Sequence, residues 1–425
     1  MSDRRGGSGS NGGVGGRGPT GGRSGRNTDR LWQGGFLVGA AIGAAATVIG
    51  RRAERSARRG LVDWPAAEAF AIARLRSAPG ALTPAEIAAS SQAYATAMAL
   101  ITPKLAEALG TELPGVVERA VAVDRAGWIR ANVTTFAHLI GHLEGRLLDQ
   151  VVPPGGGLAQ ASMAIANRYV TTRQLGFLLG FMATRVLGQY DLALLSAEAM
   201  PGKLLFVEEN IRGTARALDV PLDAFRTWIA LHETTHAFEF EAHPWLRPYL
   251  AERLERQLGA FSDDLAGVSR DTIRQVGRFI RGEGGGSHWL ERIMTDEQRR
   301  LFRETQAVMS LLEGFSDYIM DEVGRDLVPD VERISARFHA RREQKSGFER
   351  AVSRLIGMDL KLEQYKKGEV FVRAIADRGG PEALRHLWDG PETLPSDGEI
   401  EAPDLWLARV MGLGAAGASA GGATT

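Results

Sequence analysis

The sequence predicts a mainly α-helical protein with minor β content, and three observations carry that prediction. From about residue 60 onward, apolar residues recur at helical spacing in one segment after another. Residues that start helices stand where these segments begin. Only two short stretches, around 121–124 and within "KLLFVEENI", read as strands or extended chain.

The elements follow in order. "WPAAEAFAIARL" carries Pro65 at a helix start. "TPAEIAASSQAYATAMALITPKLAEAL" opens with Thr83 as N-cap, Pro84 at the first helical position and Glu86 at the third, a capping-box arrangement. "VVERAVAVDRAGWIRANV" alternates around Val121 to Asp124, as a short strand does before a helix begins. "TTRQLGFLLGFMATRVLGQYD" reads as a buried helix. "PLDAFRTWIALHETTHAFEF" begins with a proline and is apolar at Phe225, Trp228, Ile229, Leu231 and Phe238, so a helix extends to about His243 before Pro244 disfavours it. "AVMSLLEGFSDYIMDEVG" has the spacing of a buried helix, with Gly324 as its end. "RDLVPD" breaks the pattern, and "GEGGGS" at 282–287 reads as a flexible loop.

Two segments precede this domain. Residues 1–30 hold eleven glycines and six arginines without apolar period and read as a disordered basic tail. Residues 31–50, "LWQGGFLVGAAIGAAATVIG", carry no charge over a length close to that of a bilayer core. Arg30 lies on one side and Arg51, Arg52, Arg55, Arg58 and Arg59 on the other, with Trp32 placed as an interfacial aromatic. A Gly/Ala-rich packing helix or linker is the alternative to a single transmembrane anchor; the anchor is the reading adopted. Arginines follow the run directly, which does not suit a cleaved signal peptide. Positive charge on both sides leaves the orientation unread, and the rest of the chain is expected to be cytoplasmic. The expected organisation is therefore a tail over 1–30, an anchor over 31–50, one domain over 60–410 and a flexible tail over 412–425.

Fifty-one basic and fifty-one acidic side chains cancel, so nothing global draws the chain to nucleic acid. The absence of cysteine excludes disulfides, thiolate ligands and a cysteine nucleophile. Any metal has to be held by His, Asp or Glu.

"HETTH" places His232 and His236 four apart, on one face of a helix and within reach of one ion. Glu233 points about 100° round the helix, placed to act on water without ligating the metal. Zinc with an activated water is the chemistry this pattern implies; a polar helix with hydrogen-bonded histidines is the plain alternative. A catalytic zinc needs a third protein ligand and an open position. His243 is a poor candidate because Pro244 turns the chain away and the spacing misses the metzincin pattern, which also wants glycine where Glu239 stands. Glu239 and Glu241 lie on or just past the same helix as the histidines. Glu313, in "LEGFSD", is the better candidate. It and Asp317 are four apart inside an apolar helix, where carboxylates are costly without partners. A zinc ion for Glu313 and an imidazole N–H for Asp317 supply them.

"HETTH" followed by "EGFSD" resembles the gluzincin pattern. That resemblance implies His232, His236 and Glu313 as ligands, Glu233 as general base and Asp317 as hydrogen-bond partner of the first histidine. The interval between the motifs is much longer than in thermolysin-like members. "LVDW", "VDRAGWIRANV", "LGQYD", "HETTHAFEFEAHPWLR", "LEGFSDYIMD" and "KLEQYKKGEVFV" with "GGPEALRHLWDGPETLP" resemble a bacterial family of zincin-like hydrolases. That family was long catalogued as a domain of unknown function, and some members are labelled as deazaflavin-coenzyme-biosynthesis-associated. The resemblance spans about 60 to 410. It implies a zincin-like metallopeptidase fold, a Zn2+ cofactor and a peptide or protein substrate. A membrane-tethered zinc-binding scaffold, or a hydrolase of a non-peptide amide, are the alternative functions. His138 and His142 in "HLIGH" read as a surface or packing pair. His288, Tyr318, Tyr365 and His339 have no assigned place.

Overall fold

The computed structural model describes residues 60–151, 157–190, 202–265, 294–343 and 358–413. The segments 1–30 and 31–50, the glycine loop at 282–287, His288 and the chain beyond 413 lie outside them. Among the described residues no helix is long and apolar enough to cross a membrane.

The described residues are mainly helical around one small sheet. Helix α1 (Trp64–Leu75) is capped by Asp63, whose carboxylate accepts from the Ala66 N–H. Helix α2 (Pro84–Leu109) has the full capping box of Thr83 and Glu86 and ends at Gly110, left-handed at φ 67°. Strand β1 (Ala120–Val123) then leads into α3 (Arg125–Val151). Helix α4 (Gly157–Ala183) and strands β2 (Gly188–Tyr190) and β3 (Leu204–Val207) follow. The expected strand in "KLLFVEENI" thus stops at Val207, and its last residues open α5 (Glu208–Leu218).

Strand β3 is central. It pairs parallel with β1, Ala120 opposite Leu204, and antiparallel with β2, Tyr190 opposite Leu204. All four β3 residues are buried, as a strand covered on both faces requires. Tyr94 of α2 stacks on Phe206 with ring centroids 4.2 Å apart.

Helix α6 (Leu222–Glu241) runs through the core beside β2 and is buried around most of its circumference. Phe225, Trp228, Ile229, Leu231 and Phe238 are all within the core, as their spacing predicts. The helix stops at Glu241, two residues before the expected limit. The chain turns over 242–245 and enters α7 (Leu246–Leu265).

Helix α8 (Asp296–Leu327) is far longer than the apolar stretch that announced it. Thr295 and Gln298 cap it, and it continues through Gly324 instead of ending there. Gly324 packs closely there: a Cβ would meet Val331 Cγ2 at 3.2 Å and Leu231 Cδ2 at 3.6 Å. Helix α9 (Val331–Glu343) follows the break at 328–330, and α10 (Met358–His386) is interrupted at Gly380, before Pro381. Helices α11 (Asp397–Glu401) and α12 (Pro403–Met411) close the domain.

Helix α10 crosses α8 at a glycine contact. A Cβ on Gly314 would lie 2.2 Å from the Gly368 carbonyl carbon, and one on Gly368 would lie 1.9 Å from the Ser310 carbonyl oxygen. Only glycine permits this approach, and it fixes the stretch of α8 that carries Glu313.

Candidate metal centre

Helix α6 contributes His232, Glu233 and His236, and α8 contributes Glu313. The donor atoms of His232, His236 and Glu313 all lie within 4.8 Å of one another, and the three side chains are half-buried. Nε2 of His232 is 3.3 Å from Nε2 of His236 and 3.8 Å from Oε2 of Glu313. A tetrahedral zinc with bonds of about 2.0–2.1 Å sets its ligand atoms roughly 3.3 Å apart, so one ion fits among these three.

The hydrogen bonds around His236 also fit a ligand. Its Nδ1 lies 2.7 Å from Oε2 of Glu239, one turn along the same helix. With Nδ1–H donating to that carboxylate, Nε2 presents its lone pair to the cluster. Ser316 of α8 donates to the other Glu239 oxygen at 3.4 Å. Burial opposes charge on His236, yet Glu239, Glu313 and Glu233 outweigh it and push its pKa up to about 10. Three carboxylates around two imidazoles make a donor set that calls for a cation. Nδ1 of His232 lies 3.1 Å from the Met320 sulfur, a weak acceptor.

Glu233 is buried against β2. The Tyr190 N–H donates to its Oε2 at 2.9 Å. A Cβ on Gly188 would come within 2.6 Å of its Oε1, so a side chain at 188 would displace the carboxyl group. Burial raises the Glu233 pKa to about 7; the His236 charge and the Tyr190 N–H pull it down, and Glu313 pushes it up. The two intervening threonines satisfy themselves within the helix, Thr234 donating to the Ala230 carbonyl at 2.6 Å and Thr235 to that of Leu231 at 2.9 Å.

The end of α6 is pinned near this strand. Arg119 donates to both oxygens of Glu241, at 2.6 and 2.9 Å, and the Tyr190 hydroxyl donates to the same carboxylate at 2.8 Å. Tyr190 therefore ties the Glu233 carboxyl group, through its backbone, to the helix end, through its side chain.

The remaining expected residues divide clearly. Asp317 lies one turn beyond Glu313 and is half-buried. His243 is outside the ligand group: its Nδ1 meets the Glu239 carbonyl at 2.8 Å and its ring stacks on Trp388. His138 lies exposed on α3. Tyr318 sits beside the Arg373 guanidinium, 5.7 Å from its ring centroid, and His339 lies next to Phe338. Sequence reasoning missed Glu239 as a partner of His236, although the i, i+3 spacing on a helix announces that contact. It also missed Gly188 and Tyr190, whose contacts with Glu233 span more than forty residues and leave no local trace.

No curated protein matches the chain. A crystal structure of a candidate hydrolase with a novel fold, from Chloroflexus aurantiacus, is similar at 35% identity and a TM-score of 0.61. The match covers 83% of this chain and 100% of that one. A family model described as zincin-like metallopeptidase matches residues 62–407. The HETTH helix, the facing Glu313 and this match over most of the sequence together place the chain in the zincin-like metallopeptidase family.

Proposed function

We propose that the chain is a zinc-dependent metallopeptidase that hydrolyses peptide bonds of a peptide or protein, with Glu233 as general base. The observation that carries this reading is the convergence of His232, His236 and Glu313 beside the buried Glu233 carboxyl group. Zinc held by those three side chains supplies Lewis-acid polarisation of the scissile carbonyl and acidifies a water. Glu233 then does the proton work. Its Oε2 is held by the Tyr190 N–H, and the carboxylate accepts a proton from the attacking water and delivers it to the amine that leaves as the C–N bond breaks. Glu239 holds His236 in the required tautomer, and we assign the same role toward His232 to Asp317.

A zinc-binding scaffold has no use for a buried carboxyl group of this kind, and an amide other than a peptide would use the same residues. Residues 31–50 are proposed to tether the domain to a membrane, on their uncharged composition alone. The test of the hydrolytic reading is Glu233→Gln. Peptides released from a proteome digest by wild type should disappear with the variant, with turnover about 10²–10⁴-fold lower, while zinc content measured by mass spectrometry stays near one. Equal cleavage by both proteins would refute the base assignment. Zinc lost along with cleavage would make Glu233 a ligand instead.

A further inference from the structure

Helix α1 lies lengthwise and parallel on α4. A Cβ on Gly176 would meet the Ala67 carbonyl oxygen at 2.7 Å, and one on Gly180 would meet that of Ala71 at 3.3 Å. At the start of α1, the Asp63 N–H donates to Thr172 Oγ1 at 2.9 Å and the Asp63 carboxylate pairs with Arg168 at 3.0 Å. The described domain therefore begins beside residues 168–172 of α4, with Asp63 at its entry point. From Thr172 back to Met163, α4 extends roughly 14 Å past that entry point, at a rise of about 1.5 Å per residue.

This projecting part is apolar and exposed. Met163 is 67% exposed, Tyr169 61%, Val170 50% and Ile165 41%. Met163 and Val170 share one face of the helix with Ala166, and Tyr169 and Ile165 lie to one side of it. A contiguous patch of this kind marks a contact surface, unlike isolated exposed apolar residues. Its edge is cationic: the Arg173 guanidinium lies 4.5 Å from the Phe70 ring centroid and 5.2 Å from that of Tyr169. The sequence just before the entry point adds Arg51, Arg52, Arg55, Arg58 and Arg59 against a single acid, Glu54. Twelve residues, 51–62, separate the uncharged run from Asp63 and span at most about 40 Å.

We propose that the exposed half of α4 is a bilayer-contacting surface, in which Met163, Ile165, Tyr169 and Val170 enter the interfacial layer of an anionic membrane. Arg173 lies at the edge of this surface, and the basic composition of 51–59 complements the charge of the membrane's headgroups. Tyrosine and basic residues around an apolar patch are the chemistry of an interfacial contact. The inference rests on the tether proposed for residues 31–50: a bilayer that takes up that run lies within about 40 Å of this face. The inference concerns the seating of the domain and stands apart from the hydrolytic reading.

The absence of native cysteine makes the test direct. Single cysteines are placed at 163, 165 or 170 in the full-length chain, with Asp326→Cys on α8 as control, and labelled with a solvatochromic dye. Each protein is reconstituted with vesicles of phosphatidylcholine alone or with phosphatidylglycerol, with and without headgroup-proximal spin-labelled lipid. The expected result is a blue shift and spin-label quenching at 163, 165 and 170, stronger in anionic vesicles and absent at 326. In the Met163→Glu/Val170→Glu background the shift at 165 should be lost, with an unchanged thermal melt. Labels at 163 and 170 that respond like the one at 326 would overturn the proposal. A shift that grows with protein concentration without vesicles would also overturn it, in favour of a second copy on this face.

Discussion

The chemistry of this site rests on which group each imidazole faces. Glu313 reaches the cluster from a second helix, whereas His243 is turned toward the Glu239 carbonyl and Trp388. Glu313→Ala should therefore lose most zinc after dialysis, while His243→Ala keeps stoichiometry near one; the reverse pattern, read by mass spectrometry, would remove Glu313 from the ligand set. Glu239 acts through His236 and gives a finer test. Glu239→Gln retains an oxygen that accepts from Nδ1–H; Glu239→Leu does not. The leucine variant should bind zinc about 10–100-fold more weakly in competition with a chromophoric chelator, and the glutamine variant should bind close to wild type. Equal loss in both would mean that charge, and not the tautomer of His236, is what Glu239 supplies.

At the scale of helices and strands, local patterns were legible and long-range ones were not. The capping box at Thr83, the strand before α3 and the two site helices follow from spacing within one segment. That His232, His236 and Glu313 come together was legible because each motif sits on one helical face. Gly324 shows the opposite case: a glycine read as a helix end is a packing contact with Val331 and Leu231, elements the local sequence does not reveal. The α8–α10 crossing is of the same kind, since "LEGFSD" and "KKGEVF" each hold a glycine whose partner is the other. Backbone atoms face both positions, so no flexible side chain can yield. Gly314→Ala should force the helices apart at the cost of about 1–3 kcal/mol, and it should weaken zinc binding because Glu313 is the adjacent residue. Chemical denaturation and zinc titration of this variant measure the two effects. Wild-type values in both would show that the crossing is not what places Glu313.

For the molecule as a whole, one buried charge network joins the elements around the sheet to the site helix. Glu208, at the start of α5, is fully buried and pairs with Arg226 of α6 and with Arg212 at 2.7 Å. It also accepts from the Tyr94 hydroxyl of α2 at 2.8 Å. Burial alone would raise the Glu208 pKa, but hydrogen bonds from Arg226, Arg212 and Tyr94 outweigh it, and the net shift is below 4.5. A carboxyl group whose folded pKa is depressed contributes stability that is present above its unfolded pKa and lost as pH falls through the folded value. Glu208→Gln removes the charge and leaves Arg226, itself buried, without its main counter-ion. At pH 7 the variant should be destabilised by about 3–5 kcal/mol, the usual result of breaking a buried pair from one side. As the pH falls below 4.5 the wild-type carboxylate takes up a proton and becomes nearly equivalent to the glutamine, so the two urea midpoints should converge. Parallel midpoint curves down to the acid transition would show that Glu208 acts by shape and hydrogen bonding, not by charge. His232 and His236 lie on the same helix as Arg226, so zinc content measured in the folded variant at pH 7 reports whether that network also sets their position.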